Sequence, residues 1–346
     1  MKKLMTLALC IGLLGWALPS LAFQSREARD RAFQDLSYKA IEQKAQSLNN
    51  NQAPPAGEGS PMVVALVPEF SYSHHKAFQD VVGGVQQFIG DGNSKLGSMA
   101  LVLTKPINDL WSVYFLYQYS YSDYEGSSFT PINTAIARVD RSANAYSNFI
   151  GIGTKLAHPL AGNFDFNIVE AWNTYRSSST EFDATGAITS GPTESVSYDD
   201  RLTSMILYWD KDLAIDDTWT INPYLGWRSV WAVVHPAVGE DAHLWLHLAT
   251  GGVKVKYKSG NLGLYFRGGY NYRVSDDNIQ DLATRAIAPG VLQHGWFASY
   301  DRDVATWGLG FNYNFKNGWF IDVSYNGMAG KINYVHSGTA VVVLPF

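Results

Sequence analysis

The sequence predicts an all-β fold: a transmembrane antiparallel β-barrel of about 12 strands, preceded by a short N-terminal helix. Three observations carry this. Long segments alternate apolar and polar residues with period two. The links between those segments alternate in length. Tryptophans collect near both ends of the segments.

The alternation is clearest in LWSVYFLYQYSYS, where Trp111, Val113, Phe115, Tyr117, Tyr119 and Tyr121 share a face. In DVATWGLGFNYNF, Ala305, Trp307, Leu309, Phe311, Tyr313 and Phe315 oppose Thr306, Gly308, Gly310, Asn312 and Asn314. LGLYFRGGYNYRV and GWFIDVSYNG behave alike. A half-buried soluble sheet also alternates, but its strands run about 5 or 6 residues. Membrane-barrel strands need about 9 to 11, and these segments have that length. Their polar face is small and neutral, as in a lumen, and their apolar face is aromatic, as toward lipid.

Strands are expected near 62–73, 97–105, 110–122, 145–157, 164–177, 197–209, 218–230, 244–257, 262–274, 303–315, 319–329 and 335–346. The links PIND, PLAGN, DKDLAIDD, KSGN and KNG are short, and those at 123–144, 178–196, 231–243 and 275–302 are long. The link 330–334 breaks the trend. Barrels of this kind place short turns on the periplasmic side and long loops outside. An even strand number then leaves both termini periplasmic, in the cell outer membrane. Trp111, Trp209, Trp219 and Trp319 lie near the short turns, and Trp172, Trp231, Trp245 and Trp307 toward the long loops, as two interfacial belts would.

The start of the chain supplies the address. Residues 1–22 combine Lys2 and Lys3, an apolar run from Leu4 to Leu18, and the small-residue site Ser20-Leu21-Ala22: a secretory signal peptide. Its removal takes Cys10, the only cysteine, so residues 23–346 hold no disulfide and no thiolate ligand or nucleophile. The formal charge goes from −5 to −7, because Lys2 and Lys3 leave with it. That acidity argues against a nucleic-acid partner. Residues 23–61 are expected to be a periplasmic helix and linker. SREARDRAFQDLSYKAIEQKAQSL (25–48) places Phe33, Leu36, Ala40, Ile41, Ala45 and Leu48 roughly on one face, behind Ser25 as N-cap. NNNQAPPAGEGSP follows as a linker, and the barrel fills 62–346. The helix suits a periplasmic arm, a self-association element or a plug in the lumen. In the stretch 74–92, Phe78, Val81, Val82, Val85, Phe88 and Ile89 follow helical spacing, so a short helix is expected in the first long loop.

Catalytic and metal chemistry find little support. His336 and Ser337 are neighbours on a strand, so their side chains point to opposite faces. The acid and imidazole cluster HPAVGEDAHLWLH (235–247) and the pair His74-His75 read as solvated loop residues. No enzyme activity, cofactor or metal is expected. The lumen is more informative. Lys254, Lys256 and Lys258 oppose Val253, Val255 and Tyr257, Arg267 opposes Phe266, and Arg228 shares a face with Asn222 and Tyr224. Asp165, Glu170 and Asp322 are candidate inward anions. Arg228, Lys254, Lys256, Arg267 and Asp322 are therefore the candidate lumen-lining residues. They form either a selective path for small solutes or a structural network of ion pairs. A parity slip along 244–257 points to a bulge at Thr250-Gly251-Gly252.

The chain ends SGTAVVVLPF, with Ala340, Val342, Leu344 and Phe346 on one face. This ending resembles the Gram-negative outer-membrane β-barrel family, whose last strand typically closes on an aromatic residue. The resemblance implies that these four residues form the signal read by the barrel-assembly machinery. It also implies an outer-membrane lipid environment. Pro345 departs from the simplest form. WTINPYLGWRSVW (219–231) and GLGFNYNFKNGWFIDVSYNG (308–327) are similar to the translocator barrels of autotransporters, which have twelve strands and a helix entering from the N-terminal side. Only residues 23–61 precede the barrel here, so the resemblance does not extend to a passenger. The function expected is a porin-like channel for small solutes or ions, or else a non-conducting surface-interaction barrel. The sequence does not set an oligomeric state.

Overall fold

A computed structural model describes residues 62–76, 78–82, 85–108, 110–129, 138–183, 185–193, 198–234, 242–275, 301–315, 319–331 and 333–345. The elements are all strands: β1 Val63–His75, β2 Phe78–Val82, β3 Val85–Pro106, β4 Trp111–Phe129, β5 Arg138–His158 and β6 Gly162–Phe182. There follow β7 Ile188–Thr193, β8 Tyr198–Asp210, β9 Leu213–Ala214, β10 Trp219–Val234 and β11 Ala242–Ser259. The last are β12 Leu262–Ser275, β13 Asp303–Asn314, β14 Phe320–Ala329 and β15 Asn333–Pro345. Each long strand pairs antiparallel with the next, and β15 returns to pair with β1, so twelve strands close a barrel. β2, β7 and β9 are short additions. The expected helix at 25–48 lies outside the described residues, as do the signal peptide and Phe346.

The stagger of the strands follows from the register. Start at Ser259 on β11 and step through paired residues Leu262, Tyr313, Ile321, Val342 and Leu66. The row continues through Leu101, Tyr117, Ile150, Glu170, Thr203 and Trp231. It returns to β11 at Trp245, 14 residues (259 minus 245) from where it began. For twelve strands about 4.8 Å apart, that stagger sets a tilt near 40° and a backbone diameter of about 24 Å.

Side-chain parity then separates two surfaces. Outward residues are apolar and exposed: Ile152 is 63% exposed, Leu225 60% and Phe266 57%. Trp111, Trp219 and Trp319 ring the short-turn end, and Trp172, Trp231 and Trp245 sit toward the other. On β4 the outward run from Trp111 to Tyr121 rises about 25 Å along the barrel axis. That equals the height of a membrane-barrel apolar band between its aromatic girdles. Tyrosines finish the upper girdle by donating sideways, Tyr121 to Asn144 Oδ1 (2.7 Å) and Tyr117 to Asn148 Oδ1 (2.9 Å).

The stretch 74–92 is not helical. β2 continues β1 along β3 in the same register, since His75 opposite Gly92 is followed by Phe78 opposite Ile89 and Val82 opposite Val85. Only two residues, Gly83 and Gly84, separate the last pair. Gly-Gly is a favoured two-residue hairpin loop, and a glycine pair weakens a helix. The strand count stays even because the hairpin extends strands already present. The same correction applies to 123–144 and 178–196, much of which is strand. β3 to β6 run 19 to 22 residues, whereas β13 and β14 run 12 and 10. One wall therefore rises far above the apolar band. There the outward residues turn polar: Glu125, Ser127, Asp140, Ser142 and Ser178. The predicted bulge at 250–252 is absent: β10 and β11 pair without interruption from Trp219–Tyr257 to Val234–Ala242. The irregularity falls instead between His247 and Leu248 on the β12 side. Even residues of β11 thus point inward throughout, and Leu248 is buried in the lumen.

Two outcomes are expected. Leu225→Arg, at mid-band on the outer face, should cost about 2–4 kcal/mol in unfolding measured in lipid, whereas Ser127→Arg should be near neutral. The β6–β7 turn is held by Asp183, whose Oδ1 accepts from the Thr185 hydroxyl (2.6 Å) and from the Thr185 and Ala187 amides (2.8 and 3.0 Å). These bonds, the Thr185 hydroxyl first, hold its carboxyl below the ordinary range. Its stabilising contribution is present above the ordinary carboxylate pKa and is lost as pH falls through the lowered one. Amide exchange at Thr185 and Ala187 should accelerate over that acidic interval and nowhere above it.

Candidate functional site

The inward faces converge on a layer of polar side chains toward the short-turn end. Register sets Asn222 opposite Lys254, Lys254 opposite Arg267, and Asp322 two strands beyond. Lys254, Arg267, Arg228 and Asp322 are buried, and Lys256 is half-buried. Lys254 Nζ lies 5.7 Å from the centre of the Tyr265 ring, and the Tyr265 hydroxyl donates to Asp322 Oδ1 (2.9 Å). Arg267 Nη2 donates to Asn326 Oδ1 (3.1 Å). Asn222 Nδ2 reaches both Asp210 Oδ2 (2.5 Å) and Asp212 Oδ1 (2.6 Å), and Lys256 Nζ pairs with the same Asp212 oxygen (2.6 Å). On the opposite wall, the Tyr114 hydroxyl donates to Asp165 Oδ1 (2.6 Å), and Lys155 Nζ stands 3.6 Å from Asp165 Oδ2. Tyr208 and Tyr224 stack between them, ring centres 5.7 Å apart and planes 17° from parallel. Each charge meets an opposite charge, an amide or a ring, as burial at low dielectric demands.

These tyrosines lie flat because glycines make room. A Cβ on Gly153 would overlap the Tyr114 ring, one on Gly310 the Tyr265 ring, and one on Gly269 the Tyr224 hydroxyl. The seats come from neighbouring strands, so only the register reveals them.

The rest of the inner wall departs from the neutral polar lining that alternation predicts. Val63, Ala65, Val67, Val102, Leu116, Phe149, Val341 and Val343 belong to one buried apolar cluster. β1 and β15 are apolar on both faces (VVALV and AVVVL), so period two says nothing about which side faces the lumen. Further from the short turns, the inward residues are small hydroxyls: Ser71, Ser94, Ser120, Ser122, Ser147 and Ser204, all buried.

Other expectations can be placed. Glu170 faces outward, not into the lumen, and pairs there with Arg201 across β6 and β8. It is one residue from Val169, which is buried inside. His336 is exposed and accepts from the Tyr325 hydroxyl, while Ser337 is buried on the other face. His74 Nδ1 lies 2.9 Å from Asn93 Oδ1. Residues 235–241 of the acid and imidazole cluster lie outside the described residues. Sequence reasoning missed one pair. Ser229 Oγ and His247 Nδ1 meet at 2.9 Å on the outer face, with Trp227 Nε1 donating to the same Oγ (3.1 Å). Both belong to fully paired strands, which leave no backbone amides for an oxyanion, and Ser229 is 4% exposed. The pair joins the upper aromatic girdle rather than forming a reactive centre. Only the β10–β11 register brings the two together.

No protein-family model matches this sequence, and no curated protein does. Solved structures do match in fold. The translocator domain of the autotransporter NalP from Neisseria meningitidis has a TM-score of 0.62, with 12% identity over 92% of this chain and 99% of that one. The transport unit of the autotransporter AIDA-I from Escherichia coli scores 0.53 at 12% identity, over 93% and 100%. The β domain of the Bordetella autotransporter BrkA scores 0.52 at 12% identity, over 82% and 99%. The fold is that of an outer-membrane β-barrel. Within that class it is the twelve-stranded barrel also seen in these translocator domains.

Gly153→Val is expected to force Tyr114 off Asp165 and to destabilise the barrel by about 1–3 kcal/mol. A lowered temperature for loss of heat-modifiable gel mobility would report it, with Gly97→Val as a control, because nothing lies within 4 Å of a Cβ there.

Proposed function

We propose that the protein is a small-solute channel of the cell outer membrane, with the tall wall outside and both termini periplasmic. The observation that supports this is the polar layer around Lys254, Arg267 and Asp322, inside a closed barrel of about 24 Å backbone diameter. Side chains reduce that diameter to a bore for small solutes. Charged groups at the narrow level bias which ion passes. The role is one of passage, with no cofactor and no chemical step. Val63 pairs with Pro345, so the start of the barrel and the end of the last strand lie together at the short-turn end. In this reading that end is periplasmic, where the last strand, with Ala340 and Val342, meets the barrel-assembly machinery. Planar bilayers loaded with refolded residues 23–346 are expected to show steady single-channel current. Lys254→Glu with Lys256→Glu should shift its selectivity toward cations. Folded protein that passes no current, with or without residues 23–61, would overturn the proposal.

A second reading has one observation in its favour. Above the apolar band, Glu125, Ser127, Arg138, Asp140, Ser142 and Thr180 line a recess of about 410 Å³ on the outward side of β3–β6. It suits a surface-interaction barrel. Shortening 123–144 and 178–196 should abolish cell-surface binding on that reading and leave channel current unchanged.

A further inference from the structure

The serine tier is buried by something other than the wall that carries it. Ser120, Ser122 and Ser147 are 0% exposed and point into the barrel. Their hydroxyls, with those of Ser71, Ser94 and Ser204, have no hydrogen-bond partner. The inward residues paired with them across the strands are Leu96, Ala145 and Asn173. None is long enough to reach across. With a backbone diameter of about 24 Å, short side chains leave a bore of about 10–15 Å, wide enough for water to touch every serine. An α-helix with its side chains is about 10–12 Å across.

The geometry points to residues 25–48 of this chain as the occupant of the bore. Three features match. A helix of that segment is about 36 Å long, comparable to the lumen from polar layer to upper girdle. The linker 49–61 leads directly into Val63, which sits at the short-turn mouth beside Pro345. The segment is amphipathic, and so is the inner wall. Phe33, Leu36, Ile41 and Leu48 would face the apolar cluster at Val67, Leu116 and Phe149. Ser37, Gln34 and Gln43 offer partners to the serine hydroxyls, and a hydroxyl buried without one is costly. Among the three roles open to the segment, the lumen is the one that accounts for the burial. The channel at rest is therefore closed by its own N-terminal segment. This rests on the lumen being a solute path, and the experiment separates the two.

Residues 23–346 contain no cysteine, so Ser120→Cys creates a unique reporter. In the barrel folded by the gel-mobility criterion, an impermeant maleimide is expected to label it slowly. Residues 62–346 carrying the same change should label at least ten-fold faster. The full-length Leu36→Asp with Ile41→Asp variant should also label fast, which keeps the test sound where truncation impairs folding. Equal rates in all three proteins would overturn the inference. So would acceleration only on removal of 276–300, which would make that loop the occupant. If the serine opens to label while no current flows, the place of the segment stands and the channel reading falls.

Discussion

Everything in this molecule depends on one constraint: in lipid, a backbone amide or carbonyl without a partner costs several kcal/mol. A sheet can meet that demand only by having no edge. The pairing of β1 with β15, from Val63–Pro345 to His75–Asn333, removes the two edges that twelve strands would otherwise expose. Closure then fixes the rest. The fourteen-residue stagger sets the tilt, the tilt sets the diameter, and the diameter sets how much an inward side chain must fill. Where inward chains are long, as at Tyr114, Tyr265 and Arg267, the layer crosses much of the lumen. Where they are serines, it does not.

The barrel was legible in the sequence because lipid and lumen impose opposite chemistries on alternate residues. On β4 this gives six outward apolar side chains from Trp111 to Tyr121, with Gln118, Ser120 and Ser122 inside. Legibility failed where that opposition failed. VVALV and AVVVL are apolar on both faces, so their inner side was invisible. FQDVVGGVQQFI satisfies helical spacing as well as strand spacing, and only the central Gly-Gly distinguishes a hairpin. Glu170 was assigned inward by its charge, although its parity with Trp172 and Ile168 sets it outside. Charge was the weaker guide because an outward carboxylate can pair with Arg201 on the neighbouring strand.

The candidate site was legible in its residues but not in its connections. Lys254, Lys256 and Arg267 announce themselves by standing among apolar neighbours. That Tyr265 bridges Lys254 to Asp322, or that Tyr114 meets Asp165 51 positions away, depends on registers accumulated around the barrel. The polar layer also differs from a simple ring of like charge. Anions and cations alternate around it, so its field is local, and a solute passing it meets paired groups rather than one sign.

The glycine seats have a meaning beyond packing. A strand slipped by one residue turns its faces inside out, and burial forbids it. A slip by two keeps every side chain on its proper face, so the hydrophobic pattern is blind to that error. The tyrosine seats are not. Tyr224 lies opposite Gly252, and a slip of two in either direction would set its ring against Lys254 or Thr250 instead. The inward tyrosines thus act as keys cut for one alignment. They let the chain reject the even-numbered misalignments that alternation alone would accept.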